Sequence, residues 1–537
     1  MGRLRTYLVL VGGALMALGL ALMLIQGQPA LAQEETQPLK YEGSSECQSC
    51  HRNVVRDHQG TNHALALVQI SRSQDPILGD FTQGEDVRMV QLPGEDAVRP
   101  FTADDVAYVM GAGRYIQTYV YEVERNQYRV LPARWNVTES RWEPLDLAAS
   151  WDDPAYEFVQ SCAGCHTTGL NVEEGEWVDD GVMCEACHGP AEQHLSVVDD
   201  AGRRPSDEEL AAIRASINPG IDSQVCGACH SRGEVPEGDP AFPVDYRPGG
   251  TLTEQGSYLP FGPDDPIHWY PTGHASHTNM QYNEWLASGH PLSLETLRGA
   301  DNAGSECLAC HAGEYRIVQG QIAASEAGDR DGIPPEPLTV ASAQYGVACI
   351  TCHDPHGAAD QDNLLIDEPY ALCTSCHRDT SDTEGIHHPV KEMFEGTTLI
   401  DTIPGVPSAH FATENGATCT TCHMADVPMD GQSRASHTMS PIMPGAALDV
   451  EALLDTCSPC HAEQATPAAL QALIDDTQNS VRMRIEAVRA AMPRTAPDWA
   501  VQALDFVEGD GSYGMHNFVY ADLILDELEA DLGLTGR

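Results

Sequence analysis

The sequence predicts a mainly α-helical fold with extensive coil, a small β insertion near residues 105–145, and a helical C-terminus. Its core is one that the chain's own side chains do not fill. Three observations lead there. Of 537 residues only nine are Phe and aromatics make up 6 %, while 47 are Gly and 35 are Pro. Such a chain buries too little apolar surface to offset the entropy of ordering so much loop. Eighteen cysteines occur, all in Cys-x-x-Cys-His units, and sustained helical periodicity appears only after the last of these.

Residues 1–32 read as a targeting segment. Arg3 and Arg5 precede an uncharged apolar run from Tyr7 to Ile25, and Ala30-Leu31-Ala32 forms a small-residue cleavage site. The run is long for a signal core and nearly spans a bilayer, so the segment is either a cleaved signal peptide or a retained membrane anchor. Both place the body outside the cytoplasm, in the periplasm or at the cell surface.

The nine units carry the chemistry. They pair Cys47 with Cys50, Cys162 with Cys165, Cys184 with Cys187, Cys226 with Cys229, and Cys307 with Cys310. The series continues with Cys349 and Cys352, Cys373 and Cys376, Cys419 and Cys422, and Cys457 and Cys460. The following histidines are His51, His166, His188, His230, His311, His353, His377, His423 and His461. Two thiols at this spacing add across the two vinyl groups of haem, and the next residue presents an imidazole to the iron. Structural zinc would leave nine histidines without a role, and nine disulfides would explain neither the uniform spacing nor the histidine. The expected cofactor is therefore haem c, nine per chain and covalently attached, packed as the core.

Spacing sets the organisation. The 115-residue interval between the first two units holds the β signal: Tyr115 to Val123 and Tyr128 to Leu131 are rich in Tyr, Val and Ile, with Asn126 at the turn. Gly111 and Gly113 precede it, but no helical pattern follows to make a nucleotide site. Asn136-Val137-Thr138 matches a glycosylation sequon by chance. An 81-residue interval around Pro236–Pro271 marks a boundary between a four-haem region (33–240) and a five-haem region (241–465). From 466 to 537 the chain is helical. Leu470, Leu473, Ile474, Val481, Ile485 and Val488 follow helical spacing, Pro493 ends the run, and a further helix covers Asn517 to Leu532.

The net charge of −51 excludes nucleic acid and anionic lipid as main partners. It suits a solvated acidic surface or a docking face for a redox partner, either basic or linked to membrane quinols. The membrane enters only through the N-terminal segment. Thirteen of the 22 histidines lie outside the units: His58, His63, His194, His268, His274, His277, His290, His356, His387, His388, His410, His437 and His516. Imidazole suits iron, and thirteen are enough to fill nine sixth positions. An iron with both axial positions filled passes electrons and binds no substrate.

Several blocks resemble the large multihaem c-type cytochromes, the cytochrome c554-like and doubled-CxxCH group that includes the tetrahaem cytochrome of ammonia oxidisers. Octahaem and nitrite-reductase-type cytochromes are more distant relatives. The blocks are Gly181-Val182-Met183-Cys184 through His188-Gly189-Pro190 with His194, and Gly346-Val347-Ala348-Cys349 through His353-Asp354-Pro355-His356-Gly357. Trp285 to His290, Cys422-His423-Met424 with Ser436-His437, and Gly514-Met515-His516-Asn517 complete the set. His63, in Thr61-Asn62-His63-Ala64, departs from the usual serine-containing form. The resemblance implies that the trailing histidines are distal ligands. The expected nine are His63, His194, His277, His290, His356, His388, His410, His437 and His516, with His274 an alternative to His277 and His387 to His388.

The expected function is an extracytoplasmic electron-transfer conduit with mostly bis-histidine haems and no catalytic residue. The alternative is a reductase or oxidase of a small nitrogen or sulfur compound at one open haem. Against it, no unit has the Cys-x-x-Cys-Lys form, and Lys40 and Lys391 are the only lysines. A third reading, subunits stacked into a haem wire, is opposed by the charge unless salt screens it. Intact-mass measurement of protein matured in its native compartment should show nine added haems; seven or fewer would contradict the motif reading.

Overall fold

The computed structural model describes residues 39–534 apart from 71–75, 254–256, 328–333, 358–361, 381–384, 399, 401, 412–415, 449, 451–452 and 464. The predicted targeting segment lies outside the described residues. Among those described, no helix is long and apolar enough to cross a membrane. Helix accounts for 37 % and strand for 12 %, so the mainly helical, coil-rich class is observed. The described residues from Tyr41 onward form one compact unit.

Many helices are short, and most haem units lie on one. Examples are the single turns Cys184–His188, Leu308–His311, Cys419–His423 and Ser458–His461, and the two-turn helix Ser223–His230. A helical turn suits the chemistry because positions i, i+3 and i+4 share one face, which aims both thiols and the imidazole the same way. The hydrogen bonds His51 N–Cys47 O (2.9 Å), His353 N–Cys349 O (3.0 Å) and His377 N–Cys373 O (3.0 Å) close that turn.

The β insertion is a five-stranded antiparallel meander, in the order β1 (Leu67–Gln69), β2 (Tyr108–Met110), β3 (Ile116–Glu124), β4 (Gln127–Asn136) and β5 (Arg141–Pro144). Asn126, at the expected turn, has φ 63°, a left-handed conformation that Asn tolerates. Gly111 has φ 92°, and a Cβ there would sit 2.8 Å from Ile116 O, so the Gly-rich stretch serves a tight β2–β3 connection. Strand β1 went unread in the sequence because three residues carry too little alternation. One sheet face packs Phe101, Tyr119, Trp135 and Trp142. The other packs Leu67, Tyr108, Val120 and Val130 on Phe158 and Ala163, with Cys162 beside them. The sheet is thus the platform for the second haem unit.

Three C-terminal helices carry their own core: α1 (Pro467–Ala491), α2 (Asp498–Gly509) and α3 (Phe518–Asp531). Leu470, Ile474, Val481, Ile485 and Val488 are buried on α1, whereas Leu473 is 63 % exposed. Leu473 lines the large interior cavity described below rather than the helix–helix seam. Helix α2 was not read from the sequence, although Ala500, Ala503, Leu504 and Val507 keep helical spacing and are buried. Asn517 caps α3 by accepting from Tyr520 N, and its side-chain amide donates to Met393 O (2.9 Å) and Val406 O (2.6 Å), locking the helix to the preceding chain. Ile524 is fully buried in this bundle. Replacing Ile524 with Ala should cost about 2–5 kcal/mol, read by denaturant unfolding followed in the far ultraviolet. A loss under about 0.5 kcal/mol, the range of a surface substitution, would show that the bundle is not a close-packed core.

Candidate haem-binding sites

All nine units line a single continuous cavity of about 4630 Å³. A pocket for one small ligand holds about 300–1,000 Å³, so this space suits many prosthetic groups and not one. None of the eighteen cysteines pairs with another in a disulfide.

The motif histidines are pre-oriented by backbone carbonyls. Nδ1 of His166 is 2.9 Å from Ala66 O, that of His188 2.7 Å from Asn218 O, and that of His311 3.0 Å from Ser293 O. His353 pairs with Asn363 O (2.8 Å) and His423 with Met439 O (2.9 Å). A carbonyl can only accept, so Nδ1 carries the proton and Nε2 keeps its lone pair for a metal.

Two imidazoles on opposite sides of one metal ion, each nitrogen about 2.0–2.1 Å from it, place their ring centroids about 6.3 Å apart, allowing roughly 1.1 Å from nitrogen to centroid. Seven motif histidines face another histidine at this spacing. The pairs are His63–His230 (6.1 Å), His188–His356 (6.0 Å), His290–His377 (6.2 Å) and His353–His437 (6.4 Å). His410–His461 (6.2 Å) and His423–His516 (6.1 Å) follow, and His311 faces both His387 (6.4 Å) and His388 (6.3 Å). Burial, reinforced by neighbouring imidazoles, lowers His63, His290, His388 and His437 to about 4. They are therefore neutral at ordinary pH and competent as ligands. At His516 burial opposes protonation but the Asp510 carboxylate, 2.6 Å from Nδ1, wins and raises the pKa; the same contact leaves Nε2 facing His423.

Two motif histidines lack such a ring partner among the described residues. His51 lies within electrostatic range of His194, whose Nδ1 is held by Ser216 Oγ (3.1 Å) and Ile213 O (3.2 Å). His166 has no histidine facing it. The expected His277 stands elsewhere, 4.9 Å from the His268 ring and 3.8 Å from the Asp430 carboxylate. His274 has both nitrogens engaged, by Thr272 Oγ1 and Ser440 O, and His58 likewise by Pro355 O and Val182 O. Neither keeps a nitrogen for iron.

The units also touch one another. Thiol contacts join Cys47 to Cys184, Cys165 to Cys229, Cys226 to Cys349, Cys310 to Cys376, and Cys373 to Cys419. Cys187 lies near Cys226, Cys352 near Cys376, and Cys422 near Cys460. The units therefore run first, third, fourth, sixth, seventh, eighth, ninth, with the second branching from the fourth and the fifth from the seventh. Cys50 and Cys460, in the units at the two ends of this line, are the two exposed cysteines.

Buried carboxylates fasten the line, and no residue pattern in the chain announces their role. Glu185 accepts from Glu42 N (3.0 Å), Gly43 N (2.7 Å) and Ala191 N (2.7 Å). Glu284 accepts from Ala275 N, Ser436 Oγ and His437 N, and Glu314 from Gln344 N. Each draws a remote loop onto a haem unit or onto a histidine that faces one. Asp455 does the same locally for Cys457 N and Ser458 N.

A cavity lined by Cys-x-x-Cys-His turns, with imidazoles opposed across it, has the motif and fold of a multihaem c-type cytochrome. Two segments match family models: residues 341–382 the doubled CXXCH motif, and residues 139–189 cytochrome c554 and c-prime. The chain is similar in structure to the outer cell wall cytochrome OcwA, with 27 % identity over 92 % of this chain and 99 % of that one and a TM-score of 0.73. It also shares the fold of an undecahaem cytochrome from the S-layer of Carboxydothermus ferrireducens, with 20 % identity over 93 % of this chain and 70 % of that one and a TM-score of 0.55. No curated protein matches the sequence.

Glu185→Ala should destabilise the matured protein by about 3–5 kcal/mol, since hydrogen bonds to a charged acceptor contribute about 1.5–3 kcal/mol each and do not add fully. Chemical denaturation measures the loss, and limited proteolysis should cut first between Tyr41 and Cys47. Unchanged stability and cleavage would remove Glu185 from the fastening role.

Proposed function

We propose that the protein is an extracytoplasmic electron-transfer conduit holding nine covalent haems. The observation that carries this reading is the facing of seven motif histidines by a second histidine at 6.0–6.4 Å. Bound haem supplies a reversible one-electron couple, and its potential follows the axial ligands and the polarity around them. The chain's own contribution is to hold both axial imidazoles neutral and fixed, so that little reorganises when the charge changes. His194 is left for His51, because His188 already faces His356 at 6.0 Å. The thiol contacts set the order of the redox groups, and the exposed units at Cys50 and Cys460 are the ports for partners. A basic partner suits a chain of charge −51. Extracytoplasmic placement is supported by the outer cell wall and S-layer origins of the two similar structures.

One observation favours the enzymatic reading at a single position. The second unit is a branch end, and half-buried His166 faces no histidine among the described residues. A redox group held there has no onward neighbour and an unfilled axial side, which suits a small nitrogen or sulfur compound better than a protein partner.

Electron paramagnetic resonance of the oxidised protein, quantified by spin, tests both. We expect eight low-spin irons and one high-spin iron that a single equivalent of cyanide converts. Nine low-spin irons unreactive to cyanide would remove the substrate site and leave a closed conduit. Three or more high-spin irons would contradict the histidine pairing.

A further inference from the structure

Three histidines converge where the pairing of the other sites needs two. Ring nitrogens of His311, His387 and His388 lie within 4.8 Å of one another, the one such cluster among the described residues. The His387 ring is 6.4 Å from that of His311 at an interplanar angle of 23°, and the His388 ring is 6.3 Å away at 37°. Both satisfy the spacing of a second imidazole on the same iron, and neither is distinguished from the other by distance. They are consecutive in sequence and their rings are 4.0 Å apart, too close for both to occupy one axial position.

The backbone between them is unusual. His388 has φ 52°, a left-handed conformation disfavoured for any side-chain-bearing residue, and it immediately precedes Pro389, which restricts it further. Val390 N donates to His388 O (2.8 Å), and His387 N donates to the Asp379 carboxylate (2.9 Å), so both flanks are anchored while the peptide between the rings holds the strain. His388 lines the cavity and also stands 6.4 Å from His377, which His290 already faces at 6.2 Å. Leaving His311 therefore does not strand His388, because its ring also stands 6.4 Å from the histidine of the seventh unit.

We propose that His387 and His388 are interchangeable sixth ligands of the iron held by His311, giving the fifth unit an exchangeable axial position at a branch end of the line. A haem held there could then change its axial ligand without losing six-coordination. This rests on the proposed haem attachment.

The test uses full-length protein matured in its native compartment, as His387→Ala, His388→Ala and the double variant, each checked by intact mass for unchanged haem content. Electron paramagnetic resonance is compared with the unsubstituted protein. Each single variant should add no high-spin iron, the two should differ in low-spin g values, and the double variant should add one high-spin equivalent. One added high-spin iron in a single variant would identify a fixed ligand and overturn the exchange. An unchanged spectrum in the double variant would overturn it too, since the ligand would then lie elsewhere. Failure of the underlying reading shows up separately, as a haem count in the unsubstituted protein different from nine.

Discussion

The opposition of two neutral imidazoles at a fixed spacing is the constraint on which the rest of this structure depends. A helical turn supplies one imidazole and two thiols on a common face, but it cannot supply the second imidazole. That ring must come from elsewhere in the chain: His63 faces His230, and His516 faces His423. Each pairing closes a long loop in a chain with few large apolar residues. The cost of closing such loops grows slowly with length, which is why histidines so distant in sequence can be recruited.

The buried carboxylates follow from the same need. A loop that delivers a histidine must be held by something, and a chain with nine Phe has little apolar packing to hold it with. A buried glutamate accepting two or three backbone N–H groups fastens a loop through charge-assisted hydrogen bonds that are stronger than neutral ones. Glu284 illustrates the economy, joining Ala275, Ser436 and His437 at one carboxylate. Among the described residues the β sheet and the C-terminal bundle hold the largest apolar clusters, and each borders the cavity. The sheet seats the second unit, and α1 presents Leu473 to the cavity.

The attachment turns were legible because thioether chemistry fixes residue type and spacing together. The β hairpin and α1 were legible because Tyr, Val and Ile cluster about Asn126 and because Leu470 to Val488 repeat at helical spacing. Distal positions were only partly legible, since a histidine's role depends on what its two nitrogens meet. Nothing local separates His274, whose nitrogens are both engaged, from His437, which faces His353. His277 followed the same logic, yet the fold sets it beside His268 and Asp430. The carbonyls of Ala66, Asn218 and Met439 that orient motif histidines belong to backbone, and no residue type announces them. That no histidine among the described residues faces His166 depends on where every other ring lies, which no local pattern carries.

A cryo-electron microscopy structure of the matured protein, at a resolution that locates iron and its axial ligands, would show whether the paired imidazoles share a metal. An iron is expected midway between the rings of His63 and His230, His188 and His356, His290 and His377, His353 and His437, His410 and His461, and His423 and His516. Irons at these units with a different residue, or with no residue, on the distal side of two or more of them would contradict that pairing.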